Sequence, residues 1–141
     1  MIGVTGTNGK TSICHFLAQA LEALGYKVAV MGTVGNGYLD KLEVSSLTTL
    51  DILSVHEKLA EFASEGSAYV CMEVSSHSLA QRRVDGVEFA CAVYSNLSQD
   101  HLDYHQSMEA YAACKEKLFH TKGLSKAVIN LDSTGQAFRK T

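Results

Sequence analysis

No apolar run in this sequence is long enough to cross a bilayer as a helix, and no secretory-signal pattern opens it. The expectation is a cytoplasmic protein with no membrane insertion. A basic excess is also missing: 12 Lys and Arg stand against 15 Asp and Glu, a formal net charge of −3. A general nucleic-acid binder normally carries a basic face, so no nucleic-acid partner is expected. Cys14, Cys71, Cys91 and Cys114 form no C-x-x-C pair and lie scattered in apolar or helical patterns. They read as reduced core residues, which argues against a disulfide framework or a thiolate metal site. There are no repeats or low-complexity segments, and the complete absence of proline decides nothing about fold class by itself.

What is present begins at the first residues. The stretch Gly3-Val4-Thr5-Gly6-Thr7-Asn8-Gly9-Lys10-Thr11-Ser12 follows an apolar start. It runs into a helical pattern with Ile13, Phe16, Leu17, Ala20, Leu21 and Leu24 on one face. Strand, glycine loop, lysine, hydroxyl and helix in that order describe a cradle for a nucleotide triphosphate. Glycines let backbone N–H groups turn inward, and a helix N-terminus favours phosphate. Lys10 is placed to meet the β- and γ-phosphates, and the Thr11 hydroxyl to help hold Mg²⁺. The spacing is the shorter Gly6-x-x-Gly9-Lys10-Thr11, because Val4 stands where the general Walker pattern has its first glycine. The loop holds no G-x-G, which argues against a dinucleotide fingerprint. An ordinary strand–turn–helix with a solvated Lys10 is the alternative reading of this segment.

With 141 residues, 46% of them apolar, the chain is one domain's worth of sequence. Strand-like runs fall at Ile2–Thr5, Lys27–Thr33, Ala68–Ser75, Val87–Asn96 and Ala127–Asn130. Helical patterns lie between them at Thr11–Leu24, Thr49–Glu65, near Ser78–Arg83 and at Met108–Phe119. Apolar strands alternating with helices predict an α/β fold, a P-loop-type mainly parallel sheet with helices on both faces. Gly32–Ser46 is polar and glycine-bearing, and is expected to form a loop or small hairpin. Both ends look cut: Met1 stands directly at the first strand, and the sequence stops just after a β-to-α pattern begins. A piece of a longer protein is therefore expected.

Ligands of parallel α/β sheets gather at the carboxyl ends of the strands. Glu73 closes the run Tyr69-Val70-Cys71-Met72, so it is a carboxylate at the tip of a buried strand. Such a group is costly to desolvate without a cation, and a metal beside the triphosphate is a natural partner. The alternative is a solvent-facing or helix-capping glutamate. His101 and Asp103 follow another apolar strand, where an imidazole can ligate Mg²⁺, contact phosphate or simply hydrogen-bond within a turn. Lys115 falls on the apolar stripe Met108, Tyr111, Ala112, Leu118 and Phe119 of its helix. An inward lysine needs a partner or loses its charge. It can snorkel, pair with an acid such as Glu73, or stay neutral and react with CO₂ to give an anionic carbamate.

Three segments together carry a family resemblance: Thr5-Gly6-Thr7-Asn8-Gly9-Lys10-Thr11, Met72-Glu73-Val74-Ser75-Ser76-His77, and Asn96-Leu97-Ser98-Gln99-Asp100-His101-Leu102-Asp103-Tyr104-His105. They closely resemble the Mur ligases of peptidoglycan synthesis. Met31-Gly32-Thr33-Val34-Gly35 and the Ser75…Gln81…Arg83 spacing favour the branch that adds the third stem-peptide residue. The resemblance spans essentially residues 1–141 and matches only the family's central ATP-binding domain. The resemblance implies a UDP-binding domain before it and an amino-acid-binding domain after it, both expected to be absent from these 141 residues.

The resemblance implies ATP-dependent amide-bond formation through an acyl phosphate. Its substrates would be UDP-N-acetylmuramoyl-L-alanyl-D-glutamate (the UDP-muramoyl-dipeptide) and a diamino acid, either diaminopimelate or lysine. It implies that Gly6, Thr7, Asn8, Gly9, Lys10, Thr11 and Ser12 bind ATP, with Asn130 near the adenine. Thr11, Glu73, His101 and a carbamate on Lys115 would hold Mg²⁺, in two sites. Lys10, Lys115 and His101 would act in catalysis. Thr48, Thr49, Ser75, Gln81 and Arg83 would contact the UDP-muramoyl-dipeptide, Arg83 by bidentate pairing with a carboxylate or phosphate. The chain departs from the family pattern at Leu47 and Leu50, which flank Thr48-Thr49, and at Ser133, which replaces a second Asp after Asp132. Rival readings are a folylpolyglutamate synthase-like ligase, a non-ligase P-loop NTPase or kinase, and a nucleotide-binding module without catalysis.

Overall fold

The computed structural model describes residues 1–100 and 102–132, with the side chain of Leu102 left aside. The elements run β1 Ile2–Thr5, α1 Lys10–Ala23, β2 Val28–Met31, β3 Asn36–Tyr38, β4 Lys41–Glu43, α2 Ile52–Ser64 and β5 Tyr69–Glu73. They continue with α3 Ser76–Ala80, β6 Cys91–Tyr94, α4 Leu102–His105, α5 Met108–Glu116, a 3₁₀ turn Lys117–His120 and β7 Lys126–Ile129. Each core strand of the expected alternation is present.

The strands form one sheet in the order β4-β3-β2-β5-β1-β6-β7. β2, β5, β1, β6 and β7 are mutually parallel, while β3 and β4 add an antiparallel edge. The polar 32–46 stretch is thus a hairpin that widens the sheet. From β1 the chain grows first to one side, through β2 and β5, and then to the other, through β6 and β7. The carboxyl end of β1 therefore lies where the winding direction reverses, the place such sheets offer to ligands.

Period-two alternation assigns the two faces. Val28, Val30 and Cys71 point with Val4 toward Cys14 and Ala18 of α1. Ala29, Met31, Val70 and Met72 point the other way, onto Val55 and Phe62 of α2, Leu79 and the Cys114–Leu118 region. Burial on both faces explains why β2 reads Val-Ala-Val-Met without a polar residue.

Several boundaries differ from expectation for physical reasons. Phe16 and Leu24 are 68% and 73% exposed and do not belong to the buried face of α1. Small Cys14 and Ala18 meet the sheet instead, flanked by Ile13, Leu17 and Leu21, so the helix lies close and is rotated from the predicted stripe. α2 begins at Ile52, not Thr49, because Asp51 caps it by accepting from Leu53 N and Ser54 N. β6 begins at Cys91; Val84 and Val87 are buried in the turn that precedes it. All four cysteines are free thiols; Cys91 is only partly buried. Among the described residues no helix is long and apolar enough to cross a membrane.

Candidate active site

β1 turns abruptly into the glycine loop at Gly6, where φ is 140° and a side chain would run into the Ser95 hydroxyl and the Asn96 backbone. That close approach lets the segment after β6 clamp the loop. Thr7 N–H donates to the Asn96 carbonyl and Asn8 N–H to Asn96 Oδ1, both at 2.9 Å. The Asn8 carbonyl accepts from Ser95 Oγ at 2.7 Å and Asn96 Nδ2 at 3.0 Å. The Thr7 hydroxyl accepts from Ser98 N–H at 3.0 Å and meets the Tyr111 hydroxyl at 3.2 Å. Gly9 then starts α1 with no side-chain cap bond and no acidic residue in the first turn, on which Ser12 is exposed. The first-turn N–H groups and the positive helix end are left for an anion.

Lys10 folds back over this loop, its Nζ donating to the Gly6 and Thr7 carbonyls at 3.0 and 2.9 Å. The Thr11 hydroxyl donates to Glu73 Oε1 at 2.9 Å. Glu73 is 2% exposed, which removes the solvent-facing alternative. Its carboxylate also accepts from Thr33 N at 2.9 Å and Thr33 Oγ1 at 3.3 Å. Gly32 makes this possible, since a Cβ there would overlap the carboxylate. Thr11 and Glu73 are oxygen donors beside a phosphate-type loop, the chemistry that suits a hard divalent cation. His101, the third expected ligand, lies outside the described residues, as does Ser133. Among the described residues no group of three His, Cys, Asp or Glu converges.

Lys115 is where the apolar stripe of its helix predicts, 1% exposed. Its Nζ donates to the Gly6 carbonyl at 2.9 Å and sits 4.4 Å over the Tyr111 ring. Pairing with Glu73 is not what the structure has: the Lys115 ammonium bonds the Gly6 carbonyl instead. Lys10 and Lys115 thus share one carbonyl oxygen. Burial, with the Lys10 charge adding to it, pushes Lys115 down to about 7. Burial also lowers Lys10, but there the Glu73 carboxylate works in the opposite direction.

Of the residues expected to meet the muramoyl substrate, Thr48, Thr49, Ser75 and Arg83 line one cavity of about 250 Å³, together with Lys10, Leu47 and His77. Thr49 Oγ1 donates to the Glu73 carbonyl at 2.8 Å, tying this wall to the end of β5. Ser75 caps α3 by accepting from Ser78 N. The hydroxyls of Thr48 and Thr33 lie 3.1 Å apart. Arg83 Nη1 donates to the Thr49 carbonyl and Nε to Gln81 Oε1, both at 2.9 Å. Gln81 stands behind Arg83 and does not line the cavity. Leu47, a departure from the family pattern, is an apolar part of its wall.

Asn130 lines a second cavity, of about 570 Å³, with Asn8, Gly9 and Asn96 of the loop region and the apolar Ile13, Leu17 and Val93. Its Nδ2 donates to the Ser95 carbonyl at 2.8 Å. The individual residues that sequence reasoning passed over are Gly32, Thr33, Asn96, Ser98, Tyr111 and His77. Most lie inside the family segments quoted above, which was the only signal available, since their roles arise from partners far away in the chain.

The Mur ligase middle domain family matches residues 4–141. The UDP-N-acetylmuramoyl-L-alanyl-D-glutamate–2,6-diaminopimelate ligase of Chromobacterium violaceum is 58% identical over 132 residues, 94% of this chain and 27% of that protein. A solved structure of a ligase with that same name superposes with a TM-score of 0.88 at 47% identity, over 94% of this chain and 27% of the other. E. coli FolC in complex with DHPP and ADP superposes with a TM-score of 0.54 at 21% identity, over 81% of this chain and 33% of its own, a likeness of fold alone. The chain therefore spans about a quarter of the length of the curated relatives it matches.

Proposed function

We propose, for a chain that belongs to the Mur ligase family through its middle domain, that it is the ATP-binding and acyl-activating core of a longer ligase. The reaction joins 2,6-diaminopimelate to UDP-N-acetylmuramoyl-L-alanyl-D-glutamate at the expense of ATP. The choice of diamino acid rests on the names of the relatives, and the flanking parts of the longer protein would hold the UDP end and the incoming amine. The observation that carries this reading is the double membership of Lys10. It belongs to the phosphate-type loop and also lines the cavity walled by Thr48, Thr49, Ser75 and Arg83.

The difficulty of the first step is that a carboxylate must approach a polyanionic triphosphate, so the barrier is largely electrostatic. On binding, Lys10 exchanges two neutral carbonyls for phosphate oxygens, and the first-turn N–H groups of α1 add donors. Arg83, with Ser75 and Thr48, orients the acceptor carboxylate so that its oxygen meets the γ-phosphorus and ADP leaves. The amine of the diamino acid then displaces phosphate from the acyl phosphate. The chain supplies charge and geometry and no nucleophile of its own. Lys115, held near neutral pH by burial, can add to CO₂: its nitrogen forms the C–N bond, one proton is lost to solvent, and an anion results. Thr11 and Glu73, with His101 and that carbamate, would hold Mg²⁺, which neutralises phosphate charge when bound. The cavity beside Asn130 has the apolar walls and amide edges that an adenine ring requires.

The test is product analysis with the full-length polypeptide. Given ATP, the UDP-muramoyl-dipeptide and diaminopimelate, it should release ADP and phosphate and form the tripeptide, and Lys10→Ala should abolish this. Phosphate release without an acceptor carboxylate, or ligation onto a folate instead, would overturn the reading.

A further inference from the structure

Among the lining residues of the cavity shared by Lys10 and Arg83 there are two cations, three hydroxyls, a leucine and an imidazole, and no carboxylate. The imidazole of His77 is half-buried and held by ring contacts. It packs against Tyr104 with centroids 4.3 Å apart and planes tilted by 49°. The His105 ring supports both, at 5.6 Å from His77 and 4.8 Å from Tyr104. His105 is itself buried and its Nε2 meets Ser76 Oγ at 2.9 Å, on the same short helix as His77. The Tyr104 hydroxyl in turn accepts from Gln81 Nε2 at 3.4 Å, and Gln81 Oε1 accepts from Arg83. His77, Tyr104, Gln81 and Arg83 therefore form a chain of contacts that runs around the cavity and ends on its two anion-seeking side chains.

We propose that His77, oriented by its ring contact with Tyr104, is an acceptor-positioning residue that donates a hydrogen bond to an oxygen of the acceptor carboxylate that Arg83 pairs with. This rests on the ligase reading of the cavity and adds a residue and a partner to it. Imidazole suits the task because it keeps an N–H donor whether neutral or protonated. A ring whose torsion is fixed by packing presents that donor without the entropy cost of ordering a flexible chain. Lys10 stands at the end of the cavity next to the glycine loop, and His77 lines it together with Arg83, Thr48, Thr49 and Ser75. Tyr104 has no atom on the cavity wall and acts through His77 and Gln81.

The experiment compares His77→Phe and His77→Gln in the full-length polypeptide, with KM measured separately for ATP and for the UDP-muramoyl-dipeptide. Phenylalanine keeps the ring contact with Tyr104 and removes the N–H; glutamine returns a donor. The acceptor KM should rise about tenfold in His77→Phe and recover most of the way in His77→Gln, with the ATP KM within about twofold of wild type in both. An unchanged acceptor KM in His77→Phe overturns the proposal. So does an equal rise in both KM values, which would mark a purely structural role. Should His77→Phe fail to fold, the same readout on His77→Asn decides, since it is smaller and keeps a donor too short to reach: wild-type acceptor KM there also overturns it. If the wild-type enzyme uses a different carboxylate acceptor, the ligase reading falls, and the same variants judge His77 on that acceptor.

Discussion

Two lysines reach the same carbonyl oxygen, that of Gly6, from two regions of the molecule; burial lowers both, but their charged neighbours differ. Lys10 arises from the β1–α1 loop and has the Glu73 carboxylate on its side of the site, so the loss of charge favoured by burial is opposed. Lys115 arises from α5, fully buried over an aromatic ring, and its neighbour is the Lys10 ammonium. Burial and a like charge act together there, and the group comes down to about 7. In the proposed reaction Lys10 would meet phosphate as a cation and Lys115 would act as a neutral amine. The pair shows how position relative to a single acid, Glu73, can divide one residue type between two tasks.

Beyond the loss of ligation in Lys10→Ala, the largest expected effect comes from removing Lys115. Lys115→Met should lower ligation by the full-length polypeptide by about 10²- to 10³-fold, as losing one preorganised charge does elsewhere. The CO₂ adduct detectable by intact mass under gentle conditions should vanish with it. The same substitution should stabilise the fold. Wild-type Lys115 titrates at about 7 when folded against 10.5 for an ordinary lysine, so the unfolded chain takes up its proton first as pH falls. Stability is therefore lost between those two values and stays lost below about 7. Methionine abolishes the difference, and urea unfolding should give a gain on the order of a few kcal/mol at pH 7 that fades toward pH 11. A destabilised Lys115→Met at pH 7 would mean that the Gly6 hydrogen bond outweighs the buried charge.

A smaller effect tests the role of the acid. Glu73→Gln keeps an oxygen for Thr11 and Thr33 but deletes the charge that supports Lys10. The side-chain titration of Lys10, followed by NMR of its ε-carbon, should move further down. Lys10 would then come closer to Lys115, and the asymmetry would shrink. A Lys10 titration that does not move would place the source of the asymmetry somewhere other than Glu73.

How much of this could be read beforehand follows the same division. The Lys10 region is local: strand, glycines, lysine and hydroxyl lie within a dozen residues, so the loop and its direction are written in order. Lys115 was legible because a helix repeats every 3.6 residues and a charged residue on the apolar stripe stands out. Its partner was not, because nothing in the sequence says that α5 ends over Gly6. The same limit explains Thr33, Ser98 and Tyr111, whose hydrogen bonds join segments 40 to 104 residues apart. It also explains the misread face of α1. Phe16 and Leu24 looked like core by hydrophobicity, but the sheet accepts only the small Cys14 and Ala18 at close range. Hydrophobic pattern gives the existence of a face, and packing distance chooses which one.

The smallest expected effect asks whether Lys115 owes its state to the whole of α5 or to its immediate surroundings. Ser107 caps that helix, its hydroxyl accepting from Ala110 N at 3.1 Å, two turns before Lys115. Ser107→Ala should cost about 1 kcal/mol, a drop of roughly 3 °C in Tm. The first turn of α5 frays more easily, but Tyr111, Cys114 and Lys115 remain packed by the core and by the bonds to Thr7, Ser76 and Gly6. Uptake of CO₂ by Lys115 at pH 8 should therefore match wild type in an intact-mass titration. A loss of the adduct comparable to that in Lys115→Met would show that the register of α5, set at its far end, controls the lysine, and that burial beside Lys10 alone does not make it neutral.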